Sequence, residues 1–250
     1  MLLFPFIFLI GILNGFINVT SGGAGLVNTP LLLALGLSPY AALATTKFIT
    51  IGSGISGSSK YHKEKIFSNH TFIVWVVLVS LIGGIVGANV TFLVNAILLK
   101  LSIIVVAIII ILLTIFKKQK KEHAGQEQIK PVHSVVTLIG LFIIAIYGGS
   151  IGMGAGIAVI ALLVHYTKLS YIQSSAVMTF FTLGATFGSA ATFFLKGAIN
   201  FEYGIPLFLG SVAGGWLGAH MAIKKGEKLI QWMTIILAIL LIGKVIKDLL

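Results

Sequence analysis

The sequence contains no cysteine and no arginine, and only six acidic residues are spread over its 250 positions. Without cysteine, disulfide bonds, thiolate metal sites and cysteine nucleophiles are excluded together. The six acids lie in predicted loops or near the ends of apolar segments, so a proton relay built on a buried carboxylate is not expected. No two histidines have the spacing of metal ligands on a helix, and no base is paired with a nucleophile. The sequence therefore predicts no metal, no cofactor and no enzyme activity.

Charged residues are also scarce, at 9%, whereas 58% of the residues are hydrophobic and the mean hydropathy is +1.10. This composition cannot supply the polar surface of a soluble globule, so lipid is the expected surroundings of most of the chain. A spanning helix needs about 20 mostly apolar residues to cross roughly 30 Å of hydrocarbon. Runs such as residues 101–115 are continuously apolar rather than alternating, which favours helices over barrel strands. The predicted class is an all-α polytopic membrane protein.

An internal repeat divides the chain into two halves. The matching pairs, first half against second, are SGGAG (21–25) with GMGAG (152–156), LSPYAALATTKF (37–48) with LSYIQSSAVMTF (169–180), and GGIVGAN (83–89) with GGWLGAH (214–220). The first and third pairs are offset by 131 positions and the second by one more. Because all three occur in one order, we expect two related membrane repeats, residues 1–116 and 133–250, joined by a linker at 117–132.

Each half contains five apolar segments. They are predicted at 2–20, 25–37, 40–60, 71–93 and 96–116, and at 134–151, 155–167, 171–194, 203–222 and 228–247. The first segment lacks a basic start and a cleavage site, so it is expected to be a retained helix. The second segment of each half is too short to cross alone and is expected to be broken or re-entrant. An odd number of segments inserts the halves from opposite sides, which predicts an inverted repeat of the kind found in secondary transporters.

All 17 basic residues are lysines, and their distribution predicts the orientation. Twelve of them fall on one side when segments are counted outward from the lysine-rich linker. Basic loops mark the cytoplasmic side, so we expect a multi-pass protein of the cytoplasmic membrane with the linker in the cytoplasm. The lysines are not interleaved with aromatic residues, so membrane lipid rather than nucleic acid is the expected partner.

Glycine-rich breaks precede both short segments, and polar side chains cluster around them. The breaks either allow close helix packing or unwind the helix and turn the next helix N-terminus toward a bound anion. The candidate substrate-binding residues are Asn18, Thr20, Ser21, Gly22, Gly23, Gly25, Asn28, Thr45, Thr46, Lys47, Gly152, Gly154, Gly156, Gln173, Ser174, Ser175 and Thr179. Asn14 and Thr182 belong to the same polar cluster, whereas the repeated GGxxGA segments (83–89 and 214–220) are expected to be packing faces.

Lys47 falls within a predicted span. It lies about two turns into the third segment, and no carboxylate is near it in sequence. Such a group either extends its ammonium to the nearer membrane interface or faces a cavity where it binds a ligand. The cavity alternative predicts an anionic substrate.

The motifs of the first half are SGGAG, then PLLL from Pro30, then LGLSPYAALATTKF, and a weaker copy of the series follows in the second half. In the order of these motifs, the chain resembles the sulfite exporter TauE/SafE family of membrane proteins. The resemblance covers nearly the whole chain. It implies transport of a small sulfur-containing or organic anion, such as sulfite or a sulfonate. A small or hydroxyl residue is common in that family at the position of Lys47, so the chain departs from the family pattern there.

The function predicted from the sequence is secondary transport of a small anion by alternating access around a site between the repeats. A passive anion channel and a membrane-embedded enzyme or assembly factor are the alternatives. The sequence does not predict the transport direction, the coupling ion or the oligomeric state.

Overall fold

The computed structural model describes residues 3–93, 131–167 and 169–226, together with residues 228, 230, 232 and 236. Eight α-helices occupy these ranges: α1 (Leu3–Ser21), α2 (Ala24–Ala34), α3 (Pro39–Lys63), α4 (His70–Leu93), α5 (Pro131–Ser150), α6 (Ala155–Leu162), α7 (Tyr171–Leu195) and α8 (Phe201–Lys225). One π-helical turn, Leu163–Thr167, continues α6. The predicted segment 96–116 and nearly all of the linker and of segment 228–247 lie outside the described residues.

Each of the eight predicted segments within the described ranges corresponds to one helix, and the described residues contain no strand, which confirms the all-α class. Among the described residues, four helices are long and apolar enough to cross a membrane: Phe4–Ser21, His70–Leu93, Tyr171–Leu195 and Phe201–Lys225. Helix α3 is equally long at 25 residues. It is less apolar because it buries threonines, serines and Lys47 inside the bundle.

Polar residues at the helix starts explain where three of the long helices begin. Ser38 accepts a hydrogen bond from the amide of Ala41 at the start of α3, and Asn200 accepts one at the start of α8. Ser170 and Gln173 form a capping box at the start of α7. These bonds satisfy first-turn amides that have no partner within the helix.

Helices α1, α3 and α8 run parallel to one another. Gly11 and Gly15 of α1 lie against Leu207 and Ser211 of α8, so the residue numbers on both helices rise together. On the other side of α8, Phe48 faces Gly204 and Gly52 faces Phe208. The close approach needs glycine, since a methyl group at Gly15 would lie 2.2 Å from the Ser211 carbonyl oxygen.

Helices α4, α5 and α7 form a second parallel group. Gly83 and Gly87 of α4 lie against Ala145 and Ser150 of α5, and Gly184 and Gly188 of α7 lie against Val77 and Leu81 of α4. The predicted packing faces at 83–89 and 214–220 therefore do pack closely on neighbouring helices. In each case the glycine admits a backbone that a side chain would exclude.

The two groups run in opposite directions. Contacts between α3 and α7 pair Gly54 with Leu183, Gly57 with Thr179, and Tyr61 with Ser175. Residue numbers rise on one helix as they fall on the other, so α3 and α7 are antiparallel. Each occupies the third position of its half.

The short helices α2 and α6 fold back on the helices that precede them. Gly148 faces Ala155 and Gly140 faces Leu162, so α6 returns along α5. Thr29 of α2 lies 3.3 Å from Thr46 of α3 across the connection at 35–38, so α2 is antiparallel to α3 and therefore to α1. The second segment of each half thus folds back along the helix that precedes it, and we call each such helix pair a re-entrant hairpin. At 11 residues, α2 covers only about 16 Å.

Basic residues collect at one end of the helix bundle, where α3 and α8 end. Lys60 binds Glu64 at 2.8 Å and lies over the Trp216 ring at 5.5 Å, which brings the ends of α3 and α8 together. The Lys60 ammonium lowers the pKa of the Glu64 carboxyl. Lys63, Lys65, Lys224 and Lys225 belong to the same end, which we call the basic end. Its placement in the cytoplasm stays a prediction.

Candidate functional site

The tips of the two re-entrant hairpins meet in the middle of the bundle. Gly22 lies against Gly156, and a methyl group built on either glycine would lie 2.2 Å from the Cα atom of the other. Gly25 lies against Met153 in the same junction. The backbone turns here with φ values of +73° at Gly22 and +78° at Gly152 and Gly154, which favour glycine. The glycine-rich breaks therefore serve both as turns and as close-packing positions.

A small cavity lies beside these tips. Its lining combines residues of all the elements that meet there: Asn18, Gly22, Ala24, Gly25, Thr46, Lys47, Thr50, Gly148, Gly152, Ala155, Gly156, Phe181, Thr182, Ala185 and Thr186. The cavity has a volume of about 40 Å³. A cavity that holds one water needs roughly 10–15 Å³, so the space suits a solute of a few heavy atoms.

Lys47 is the one ionisable side chain in this lining. It is 3% exposed, and its side-chain nitrogen donates a hydrogen bond to the carbonyl of Gly148 in α5. That carbonyl lies in the last turn of α5. The amide four residues later, that of Gly152, donates to the carbonyl of Tyr147 rather than to that of Gly148. Within the described part of the chain no carboxylate pairs with Lys47, since the one ion pair there joins Lys60 and Glu64. The lysine therefore lies at the negative end of the α5 dipole.

Two helix N-termini lie at the same cavity. Its lining includes Ala24 and Gly25, the first residues of α2, and Ala155 and Gly156, the first residues of α6. Both helices have a glycine N-cap without a side-chain hydrogen bond. The positive ends of two helices and one lysine thus converge on one small space, an arrangement that favours an anion.

The polar side chains around the cavity differ in how firmly they are held. Asn18 donates to Ser53 at 2.9 Å, and the hydroxyls of Thr50 and Thr186 bond carbonyls of their own helices at 2.7 and 2.6 Å. Thr182 has only a weak acceptor, the sulfur of Met178 at 3.4 Å. Its hydroxyl can turn to a ligand at the smallest cost.

Seven of the predicted site residues line the cavity: Asn18, Gly22, Gly25, Thr46, Lys47, Gly152 and Gly156. Gly23 and Gly154 are the adjoining N-caps. Thr20, Ser21 and Thr179 bond carbonyls of their own helices.

Other predicted residues serve the packing of the bundle. Thr45 accepts a bond from the amide of Asn200 at 2.9 Å, and Gln173 caps α7. Ser175 bonds the carbonyl of Val19 at 2.7 Å, which joins α7 to α1. These residues lie outside the cavity lining.

Two buried asparagines remain without a polar partner among the described residues. Asn14 and Asn28 are fully buried, and neither amide oxygen nor amide nitrogen has a hydrogen-bond partner there. Asn14 lies one helical turn before Asn18, and Asn28 lies one turn after Gly25. Since buried amides are rarely left unpaired, these two positions call for a ligand or water. The hydroxyl of Ser174 is also buried and unpaired.

Several lining residues were not predicted. The carbonyl of Gly148 gives no side-chain signal, and Ala24, Ala155 and Ala185 are too common in helices to stand out. Thr50 and Thr186 could have been found, because each lies four residues after a threonine of the polar cluster, on the same helix face. Phe181 adds an apolar wall.

Comparison with known proteins extends over almost the full length. The sequence model of the family described as Sulfite exporter TauE/SafE matches residues 7–245. A probable membrane transporter protein of Haemophilus influenzae is 25% identical, with 98% of this chain and 95% of the relative covered. YfcA of Escherichia coli K12, also a probable membrane transporter protein, is 26% identical, with 99% and 91% covered. No solved structure matches.

Proposed function

The chain belongs to the sulfite exporter TauE/SafE family and is a multi-pass membrane transporter, and on this premise we propose that its substrate is a small anion, either sulfur-containing or organic, such as sulfite or a sulfonate. The anion binds in the cavity at the hairpin tips. The protein works as a secondary transporter by alternating access and catalyses no reaction. The proposal needs no cofactor and no nucleic-acid partner.

The observation that carries the proposal is Lys47, a buried lysine at the junction of two helix N-termini, which has no carboxylate partner in the described part of the chain. An unpaired buried charge costs several kcal/mol, and the dipoles of α2 and α6 add further positive potential. An anion in the cavity would compensate both. The limited volume favours a small oxyanion over a bulky organic acid.

The alternating-access part of the proposal rests on an inverted repeat. Two observations support the repeat: α3 and α7 are antiparallel, and the tip contacts are reciprocal. Gly22 contacts Gly156. With the 131-residue offset between the halves, Gly22 corresponds to Met153 and Gly156 corresponds to Gly25, and these two residues are also in contact. An inverted pair of hairpins around one site can open to either side by exchanging conformations. We place the basic end and the linker in the cytoplasm, following the lysine distribution.

Anion binding can be tested by thermal unfolding of the purified protein. Sulfite, sulfate, thiosulfate, methanesulfonate, sulfoacetate, taurine and acetate serve as probes, since an anion at 100 times its Kd stabilises by about 2.7 kcal/mol. We expect at least one anion to raise the Tm of the wild type and of Lys63→Met, a change at the exposed end of the same helix. Lys47→Met should lose the response. If no anion shifts the Tm, the anion assignment is wrong.

Alternating access is tested separately by crosslinking. The chain has no cysteine, so Tyr61→Cys with Ser175→Cys, two positions whose hydroxyls lie 3.1 Å apart between α3 and α7, can be crosslinked with a bifunctional thiol reagent. Transport into vesicles should stop in the crosslinked protein and continue in both single-cysteine variants. Continued conduction after complete crosslinking would identify a passive channel instead.

A further inference from the structure

We propose that Lys47 is neutral in the empty cavity and takes up one proton with each anion, so that the proton is a co-substrate of transport. This inference rests on the proposed anion site and assigns its coupling ion. It is argued from the surroundings of the Lys47 amine.

Among the residues that the structure describes, no other titratable side chain lines the cavity. The facing residues are Asn18 and Gly22 of α1, Ala24 and Gly25 of α2, Gly148 and Gly152 of α5, Ala155 and Gly156 of α6, and Phe181, Thr182, Ala185 and Thr186 of α7. On α3 itself the neighbours are Thr46 and Thr50. Tyr147, next to the lining on α5, donates its hydroxyl to the Met153 carbonyl at 2.8 Å. Among the described residues no fixed negative charge compensates an ammonium here.

The hydrogen bond that Lys47 makes does not require a charge. The Gly148 carbonyl accepts a hydrogen bond from a neutral amine as well as from an ammonium, whereas an ammonium has three N–H donors to satisfy. The last turn of α5 favours the ammonium, but the N-termini of α2 and α6 oppose it. Desolvation opposes it too, because Lys47 is 3% exposed.

An arriving anion reverses the balance by supplying the missing negative charge. The step is R–NH₂ + H⁺ + A⁻ → R–NH₃⁺·A⁻, and release on the other side of the membrane runs it backward. Because coupling free energies are reciprocal, an anion that favours the proton is itself favoured by it. The empty and the loaded site then both carry no net charge for a monovalent anion. Either can reorient through the apolar bundle without moving a bare charge.

Proton uptake can be measured by isothermal titration calorimetry of the purified protein at pH 8–9 in two buffers with different ionisation enthalpies. Thiosulfate and methanesulfonate are suitable probes because they do not themselves take up protons in this range, and sulfite is run with its own protonation subtracted. We expect uptake approaching one proton per bound anion. Affinity should fall by up to tenfold for each pH unit of increase in the alkaline range.

Lys47→Arg keeps a positive charge at this position but removes its ability to gain or lose a proton, since a guanidinium stays protonated. We expect this variant to bind without proton uptake and with an affinity independent of pH, and Lys63→Met to behave as the wild type. If Lys47→Arg does not fold, the wild-type titration alone decides. Anion binding without proton uptake would overturn the coupling and leave the proposed function intact. If none of the seven anions used in thermal unfolding binds, both the coupling and the anion assignment are overturned.

Discussion

The contact between the hairpin tips predicts a severe effect of adding one methyl group at Gly156. In Gly156→Ala the new Cβ would lie 2.2 Å from the Gly22 Cα atom. Carbon atoms pack at about 3.5–4.0 Å, so the tips must separate by roughly 1.3–1.8 Å. The opposing atoms are backbone atoms of a turn rather than a flexible side chain. Gly156 itself has an ordinary backbone conformation, so the strain comes from the contact alone.

Overpacking of this kind costs about 1–3 kcal/mol, and we expect the upper part of that range because neither tip can yield by changing a rotamer. For a chain of this size 1 kcal/mol corresponds to about 2–4 °C in Tm. The expected loss is therefore about 6–12 °C at 3 kcal/mol, measured by thermal unfolding in detergent. Anion transport should fall as well, because Gly22, Gly25 and Gly156 all line the cavity.

Gly140→Ala is the matched control. It also lies on a re-entrant hairpin, but the atom nearest to its new Cβ is the end of the Leu162 side chain, which can move. Within a helix, alanine is favoured over glycine by about 0.8–1.0 kcal/mol, so Gly140→Ala should keep its Tm and its transport. If Gly156→Ala unfolds within 2 °C of the wild type and transports normally, the close tip contact is refuted.

Three further substitutions, the first with a matched control, test other parts of the structure. Ser175→Ala removes the hydrogen bonds to Val19 and Tyr61 and should lower the free energy of unfolding by about 1–3 kcal/mol. The control Ser174→Ala removes a hydroxyl that has no partner among the described residues and should leave the free energy of unfolding unchanged, so equal losses in the two variants would contradict this reasoning. Asn28→Val, which introduces the residue found at the matching position of the second half, should keep or raise the Tm but reduce vesicle transport; unchanged transport would show that the amide has no role there. Thr182→Val should weaken anion affinity by about fivefold, the value of one hydrogen bond, and a titration with unchanged affinity would remove Thr182 from the site.

Helix positions were predictable because apolar runs must be long enough to fit a membrane. The predicted segment 171–194 corresponds to α7 almost residue for residue. Helices α3 and α8 extend three residues further than predicted, to Lys63 and Lys225. Lysine has a high helix propensity, so the helix continues through these lysines although the apolar run ends before them. A hydropathy pattern therefore predicts only the part of the helix that lies in lipid.

The fold-back of the short helices was not predictable from their length. A glycine break followed by a short apolar segment fits both a broken helix that continues and one that returns. The direction is set by positive φ values at Gly22, Gly152 and Gly154 and by packing against helices distant in sequence. Neither is visible in the local pattern.

The site was predictable only as far as its side chains carry the signal. A lysine within a span was sufficient to single out Lys47, and the glycine breaks indicated its surroundings. The same reasoning selected Gln173, but its amide completes the capping box of α7. In a sequence, a polar residue that caps a helix cannot be distinguished from one that binds a substrate at the helix start. The acceptor for Lys47 is a backbone carbonyl, which any residue at position 148 would provide.

The parallel pairing of α1 with α8 has a consequence for biosynthesis. Gly11 and Gly15 of α1 find their partners, Leu207 and Ser211, 196 positions later in the chain. At about 5–20 residues per second, roughly 10–40 s pass between synthesis of the two surfaces. During that time the small-residue face of α1 must be covered by lipid, by the translocation machinery or by a chaperone. The close packing of α1 is therefore completed only after α8 has been synthesised.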